Sequence, residues 1–166
     1  MGTRGHFGFR YKKKYYMIYN HYDSYFTGLG KDLLEEIKAM INNNEFDEWL
    51  ELFLQLKFVT EDDTPSDEDI EKCIEFYDDS VGSCTPTNYY GLLRKCQGSF
   101  ERVLKSGYAL IDPHSDHKNS LWIEYVYVLD FDNRKFDVIH NDITRQYYFD
   151  PKPITEITEI DEEYFE

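Results

Sequence analysis

Within five positions the chain carries Asn20, His21, Asp23 and Ser24, a set of side chains with the functional groups of acyl or group transfer. In a small hydrolase or transferase built on them, His21 would be the base, Asp23 its orienting partner and Ser24 the nucleophile. Asn20 or backbone amides near Gly28 would then stabilise an oxyanion. Alternate side chains of a strand leave opposite faces, which opposes convergence of four such close neighbours. The simpler reading is architectural: Asp23 and Ser24 form an Asx-type turn, and Asn20 and His21 bond backbone at a sheet edge.

A second group, Asp112, His114, Asp116 and His117, falls in one loop that contains the polar stretch PHSDHKNS, with His21 or His140 as further donors. Such ligands suit zinc or manganese. A polar surface loop yields the same letters, and no fixed spacing such as HExxH accompanies them, so neither a metal nor another cofactor is expected. Asp130, Asp132 and Asn133 resemble a fragment of a calcium loop without its downstream glycine and glutamate, and turn chemistry accounts for them better. GLGKD at 28–32 lacks the spacing of a phosphate-binding loop. Cys73, Cys84 and Cys96 are an odd number without a CxxC pair, which predicts reduced thiols.

The elements that must position these residues follow from periodicity. Residues 6–11 and 15–21 alternate as strands around a turn at Lys12, Lys13 and Lys14, with Phe7, Phe9 and Tyr11 on one face. Gly8 marks either a close approach to the sheet or a bulge. After Gly28 and Gly30, Leu33, Leu34, Ile37, Met40 and Ile41 form a helical stripe, and Phe46, Trp49, Leu50, Phe53 and Leu56 form a second. Ser66 caps a third helix with Asp69 in a capping-box position, and Ile70, Cys73, Ile74 and Tyr77 are its inward stripe. Thr87 caps a short helix, and another runs from Ser99 to a stop at Gly107. The last third returns to strands: a short one after Gly107, a central one over 121–131 with both faces covered, its hairpin partner over 136–140, and a short addition near Tyr147. Strands at both ends with helices between predict a single α+β domain over 1–166. Its antiparallel sheet joins the N-terminal hairpin to the C-terminal strands, and the middle helices cover one face. The acidic tail, 150–166, either lies along the body or frays.

The net charge of −15 is unevenly spread: residues 1–14 hold five bases and no acids, whereas 61–80 hold ten acids against Lys72 alone. So acidic a chain is ill suited to nucleic acid or to anionic membrane surfaces. No apolar run approaches the ~18 residues of a membrane span. A soluble, intracellular protein is expected.

MGTRG at the start, a strand of aromatic residues, YNHYDSY followed by GLG, and downstream LWIEYVYVLDFDN together resemble an uncharacterised family. Its members belong to large, Marseillevirus-like DNA viruses of amoebae, with fungal and phage relatives. The resemblance covers both ends and leaves the acidic middle unmatched. It implies no activity, but a viral setting: host cytoplasm or nucleus, or packaging in the virion. The chain departs from the family pattern at Phe26, where proline is usual, and Gly2 stands where some relatives have a cysteine able to become an amino-terminal nucleophile. With no catalytic set that convinces by spacing, the expectation is a non-enzymatic protein that works by association with itself, as a homodimer, or with other proteins.

Overall fold

The computed structural model describes residues 3–112, 123–149 and 157–166. Among these, β1 (Gly5–Tyr11) and β2 (Lys14–Asn20) are the N-terminal hairpin. Helices α1 (Lys31–Asn42) and α2 (Phe46–Leu54) follow, then β3 (Lys57–Val59) and α3 (Asp67–Cys73). Next come α4 (Tyr89–Leu92), α5 (Phe100–Ser106) and β4 (Tyr108–Leu110). Strands β5 (Tyr125–Asp130), β6 (Lys135–His140) and β7 (Ile143–Tyr148) complete the α+β fold. The main sheet has the order β2-β1-β5-β6-β7, which makes β5 central as its two apolar faces predict. Three of its junctions are antiparallel, but β1 and β5 run parallel, so the sheet is mixed at the seam between the two chain ends.

Phe7 and Phe9 leave the hairpin on the helix side. The Phe9 ring lies 5.2 Å from that of Phe53, 5.3 Å from that of Phe100 and 5.8 Å from that of Phe131. Leu33, Leu34 and Ile37 of α1 join the same core, as do Tyr127, Leu129, Phe136 and Val138 of the late strands. Gly8 lies on the opposite face, where a Cβ would meet the Tyr16 carbonyl oxygen at 2.0 Å; close approach, not a bulge, is what it serves. Met17, Val126 and Val128 are buried on that second face. Buried charges sit beside them. Asp130 accepts from Arg10 at 3.2 Å and from the Asn133 backbone at 3.0 Å, and Lys135 lies 3.3 Å from Asp137. Asp130 and Asn133 thus serve the turn.

The hairpin turn is made by Lys12 and Lys13 at φ of 49° and 66°, a left-handed pair that ordinarily selects glycine or asparagine. Asp132, from the β5–β6 turn, accepts both backbone N–H groups, at 2.7 and 2.8 Å. One carboxylate therefore offsets the strain of one turn and ties it to another.

Several local expectations change. Asn88, not Thr87, caps α4, its side-chain Oδ1 accepting from Gly91 N at 2.8 Å. Ile74 is exposed and Phe76 buried, because the chain tightens after Cys73 into one 3-10 turn, Ile74–Phe76, whose shorter period moves the inward position. Strand β3 is an element that periodicity did not predict; it pairs in parallel with β4. The described part of the tail packs against the body: Ile160 and Phe165 are buried, and the Phe165 ring lies 4.7 Å from that of Phe26.

Removing the carboxylate in Asp132→Ala is expected to destabilise the protein by about 2–3 kcal/mol, the range for charge-assisted hydrogen bonds plus turn strain. Urea unfolding measures it, and adding Lys13→Gly is expected to restore part of the loss by relieving the positive φ.

Candidate functional site

The polar corner folds around Ser24, which is fully buried. Its hydroxyl accepts from the Asn20 side-chain amide at 2.9 Å, its N–H donates to Thr3 O at 3.1 Å, and its carbonyl accepts from the Tyr127 hydroxyl at 2.7 Å. Asn20 also donates to Tyr22 O at 2.7 Å. Asp23 adopts a left-handed φ of 55°, its carbonyl accepting from Leu29 N and its carboxylate from the Tyr25 hydroxyl. A π-type turn, Phe26–Gly30, then leads into α1. Asn20 and Ser24 are thus joined, whereas His21 is bonded elsewhere: Nδ1 meets the Tyr19 hydroxyl at 2.8 Å, and its backbone N–H donates to Gln97 Oε1 at 3.1 Å. Burial, then Arg94 and Arg4, lowers the His21 pKa below the ordinary histidine value, so the ring favours its neutral form. These bonds fix a turn; they do not assemble a base, an orienting acid and a nucleophile around one point.

Of the residues considered as metal ligands, His114, Asp116 and His117 lie outside the described residues. Asp112 is described: its carboxylate meets His6 Nε2 at 2.9 Å, and its N–H donates to Met17 O at 3.0 Å. Among the described residues no cluster of three or more His, Cys, Asp or Glu side chains is placed to hold a metal ion.

What the corner does support is a cavity that sequence reasoning missed. Tyr19 and Gln97, the two partners of His21, are part of the wall of a pocket of about 380 Å³. Ile18, Leu93, Val103, Leu110 and Ile111 supply apolar lining, and Glu61, Tyr90, Cys96, Tyr108 and Asp112 complete it. The volume is within the range of small-molecule sites. These residues come from the edge strand β2, the 60–63 turn, the segment 90–97, α5, β4 and the chain leaving β4. No common spacing marks them in the sequence; only the aromatic excess hinted at them. Cys96 is no nucleophile here, since burial pushes its thiol up to about 12.

Behind the pocket lies a hub on Asp69. Its carboxylate caps α3 with Ser66 in a full capping box, accepts from the Tyr108 and Tyr89 hydroxyls, and lies 3.6 Å from Lys57 Nζ. The Tyr108 hydroxyl and the Ser66 backbone hydrogen bond, ahead of opposing burial, hold its pKa well below the usual carboxylate range. Tyr108 thus has its hydroxyl committed to Asp69.

The structure therefore defines an α+β domain with a tyrosine-walled pocket at the edge of its sheet, braced by the polar corner. Comparison with family models, curated proteins and solved structures finds no match to any of them. Among the described residues no helix is long and apolar enough to cross a membrane.

Because the Asp69 pKa is lower folded than unfolded, its contribution to stability is present above the unfolded value of about 4. It is lost as pH falls from about 5 through the folded value. Asp69→Asn is expected to cost about 2–4 kcal/mol at pH 7 through its lost charge-assisted bonds. The variant is also expected to flatten the acid limb of stability against pH, measured by urea unfolding between pH 7 and pH 3.

Proposed function

We propose that the protein acts by association and not by chemistry, as a non-enzymatic, virus-encoded protein in the sense of the family it resembles. Its role is that of a virion component or a host-interaction factor in the cytoplasm or nucleus of the infected cell. The observation that carries this reading is an apolar, lysine-rimmed surface on a strongly acidic chain. Leu54 and Phe58 are 55% and 41% exposed, and the Phe58 ring stacks on Tyr16 at 4.5 Å. Lys14 Nζ lies 5.3 Å from the centre of the Tyr16 ring, and Lys12 Nζ lies 5.5 Å from that of Tyr11, so the basic hairpin tip borders the aromatic surface. Exposed aromatic groups edged by cations suit an acidic protein surface.

This chain supplies such a surface at 61–80, where nine of the ten acids remain once the buried Asp69 is set aside. A second copy is therefore the first partner, in a two-fold pair that sets the hairpin of each against the acidic segment of the other. Sedimentation across a wide concentration range, at low and high salt, is expected to show a dimer that salt weakens. Phe58→Ser is expected to weaken it by about tenfold or more, as loss of an aromatic anchor does. A monomer under every condition, with no partner captured from infected cells, overturns the proposal.

A further inference from the structure

The tyrosine-walled pocket is distinct from the lysine-rimmed surface, and its lining has a definite chemical bias. We propose that it binds a small organic cation, an ammonium group carried on an apolar or aromatic body. The inner wall of Ile18, Leu93, Val103 and Leu110 accepts the apolar body. Among the described lining residues two are carboxylates, Glu61 and Asp112, and none is Lys, Arg or His; Asp112 is already paired with His6 Nε2 at 2.9 Å, so the ammonium group is assigned to Glu61. Tyr19 and Tyr90 add aromatic rings, whose faces attract ammonium groups.

The backbone is fixed at both acidic positions. Glu61 sits in a turn closed by Thr60 N–H donating to Asp63 Oδ2 at 2.8 Å and by Asp63 N–H donating to Thr60 O at 3.0 Å. Asp112 is held by its backbone bond to Met17 and by His6 on Oδ2. The Gln97 carbonyl is taken by the His21 N–H, which leaves its amide nitrogen as the donor end. Arg94 stands outside this lining, its guanidinium carbon 5.7 Å from the centre of the Tyr22 ring. Arg4 is likewise absent from the lining, but the charges of Arg4 and Arg94 reach the Tyr19 hydroxyl, so the ammonium end belongs at the Glu61 side of the pocket. The protonated Cys96 thiol adds only apolar surface, so the expected interaction is reversible binding.

Three probes that differ only in their polar end test the inference: 2-phenylethylamine, 2-phenylethanol and 3-phenylpropionate, titrated into the intact protein at neutral pH and followed by NMR shifts of Leu and Val methyls and by calorimetry. The amine is expected to saturate, to move the methyls of Leu93, Val103 and Leu110, and to bind about tenfold more tightly than the alcohol, as one charge-assisted contact provides. The carboxylate is expected to bind more weakly than the alcohol. Glu61→Gln, at an exposed turn, is expected to keep the fold and to remove most of the preference for the amine. Absence of saturable amine binding, shifts at other methyls, an alcohol that binds as well as the amine, or a preference untouched by Glu61→Gln each overturns the proposal.

Discussion

The parallel pairing of β1 with β5 is the constraint on which the remaining structure depends. It runs from Gly5 opposite Tyr125 to Arg10 opposite Asp130 and joins a hairpin from one end of the chain to a meander from the other. Parallel neighbours need a crossover connection, and the described α-helices, α1 to α5, all fall between the two strands in sequence. The same register places Phe7 and Phe9 beside Tyr127 and Leu129 on the helix side and leaves Gly8 beside Val128 on the other. The contact of Arg10 with Asp130 and the grip of Asp132 on the hairpin turn lie at one end of this seam, and the Tyr127 bond to Ser24 secures the other.

From that seam the polar corner gains its meaning. Ser24 is held by β5 through Tyr127 and by the N-terminal segment through Thr3, so the chain leaving β2 cannot swing away from the sheet. His21 then transfers this order outward, to Tyr19 on one side and Gln97 on the other. Residues that carry the vocabulary of catalysis are here the frame of a cavity whose own lining is mostly apolar. Asp69 plays the matching part on the far side, where one carboxylate binds Tyr89 and Tyr108 and so joins α3 to α4 and β4.

Much of the fold was legible because its long elements repeat a period. Alternation in the hairpin and in β5, and the stripes of α1 and α2, each arise from a face that must be buried. The short elements carry too few residues for a period to register. Lys57, Phe58 and Val59 form a strand only because Tyr108, Ala109 and Leu110 lie beside them, a pairing distant in sequence. Ile74 and Phe76 exchanged places because one tightened turn shifts phase, and Asn88 displaced Thr87 by beginning the helix a residue later. The direction of β1 against β5 also leaves no local trace. Of the site, the corner was legible through its clustered polar residues, whereas the pocket was not, since Tyr19, Glu61, Tyr90, Gln97 and Asp112 meet only after the helices have crossed the sheet.

The join between the two ends also sets an order of events during synthesis. A hairpin forms within microseconds, but β1 cannot gain its β5 neighbour until residue 130 has been made, about 5–20 seconds after residue 20 at ordinary elongation rates. For that interval Phe7 and Phe9 belong to a two-stranded ribbon, which is marginally stable in water, with the edge that β5 will occupy still unpaired. The emerging helices are the first native cover these rings can receive, and a chaperone has access to the open edge well before the strand that finally closes it.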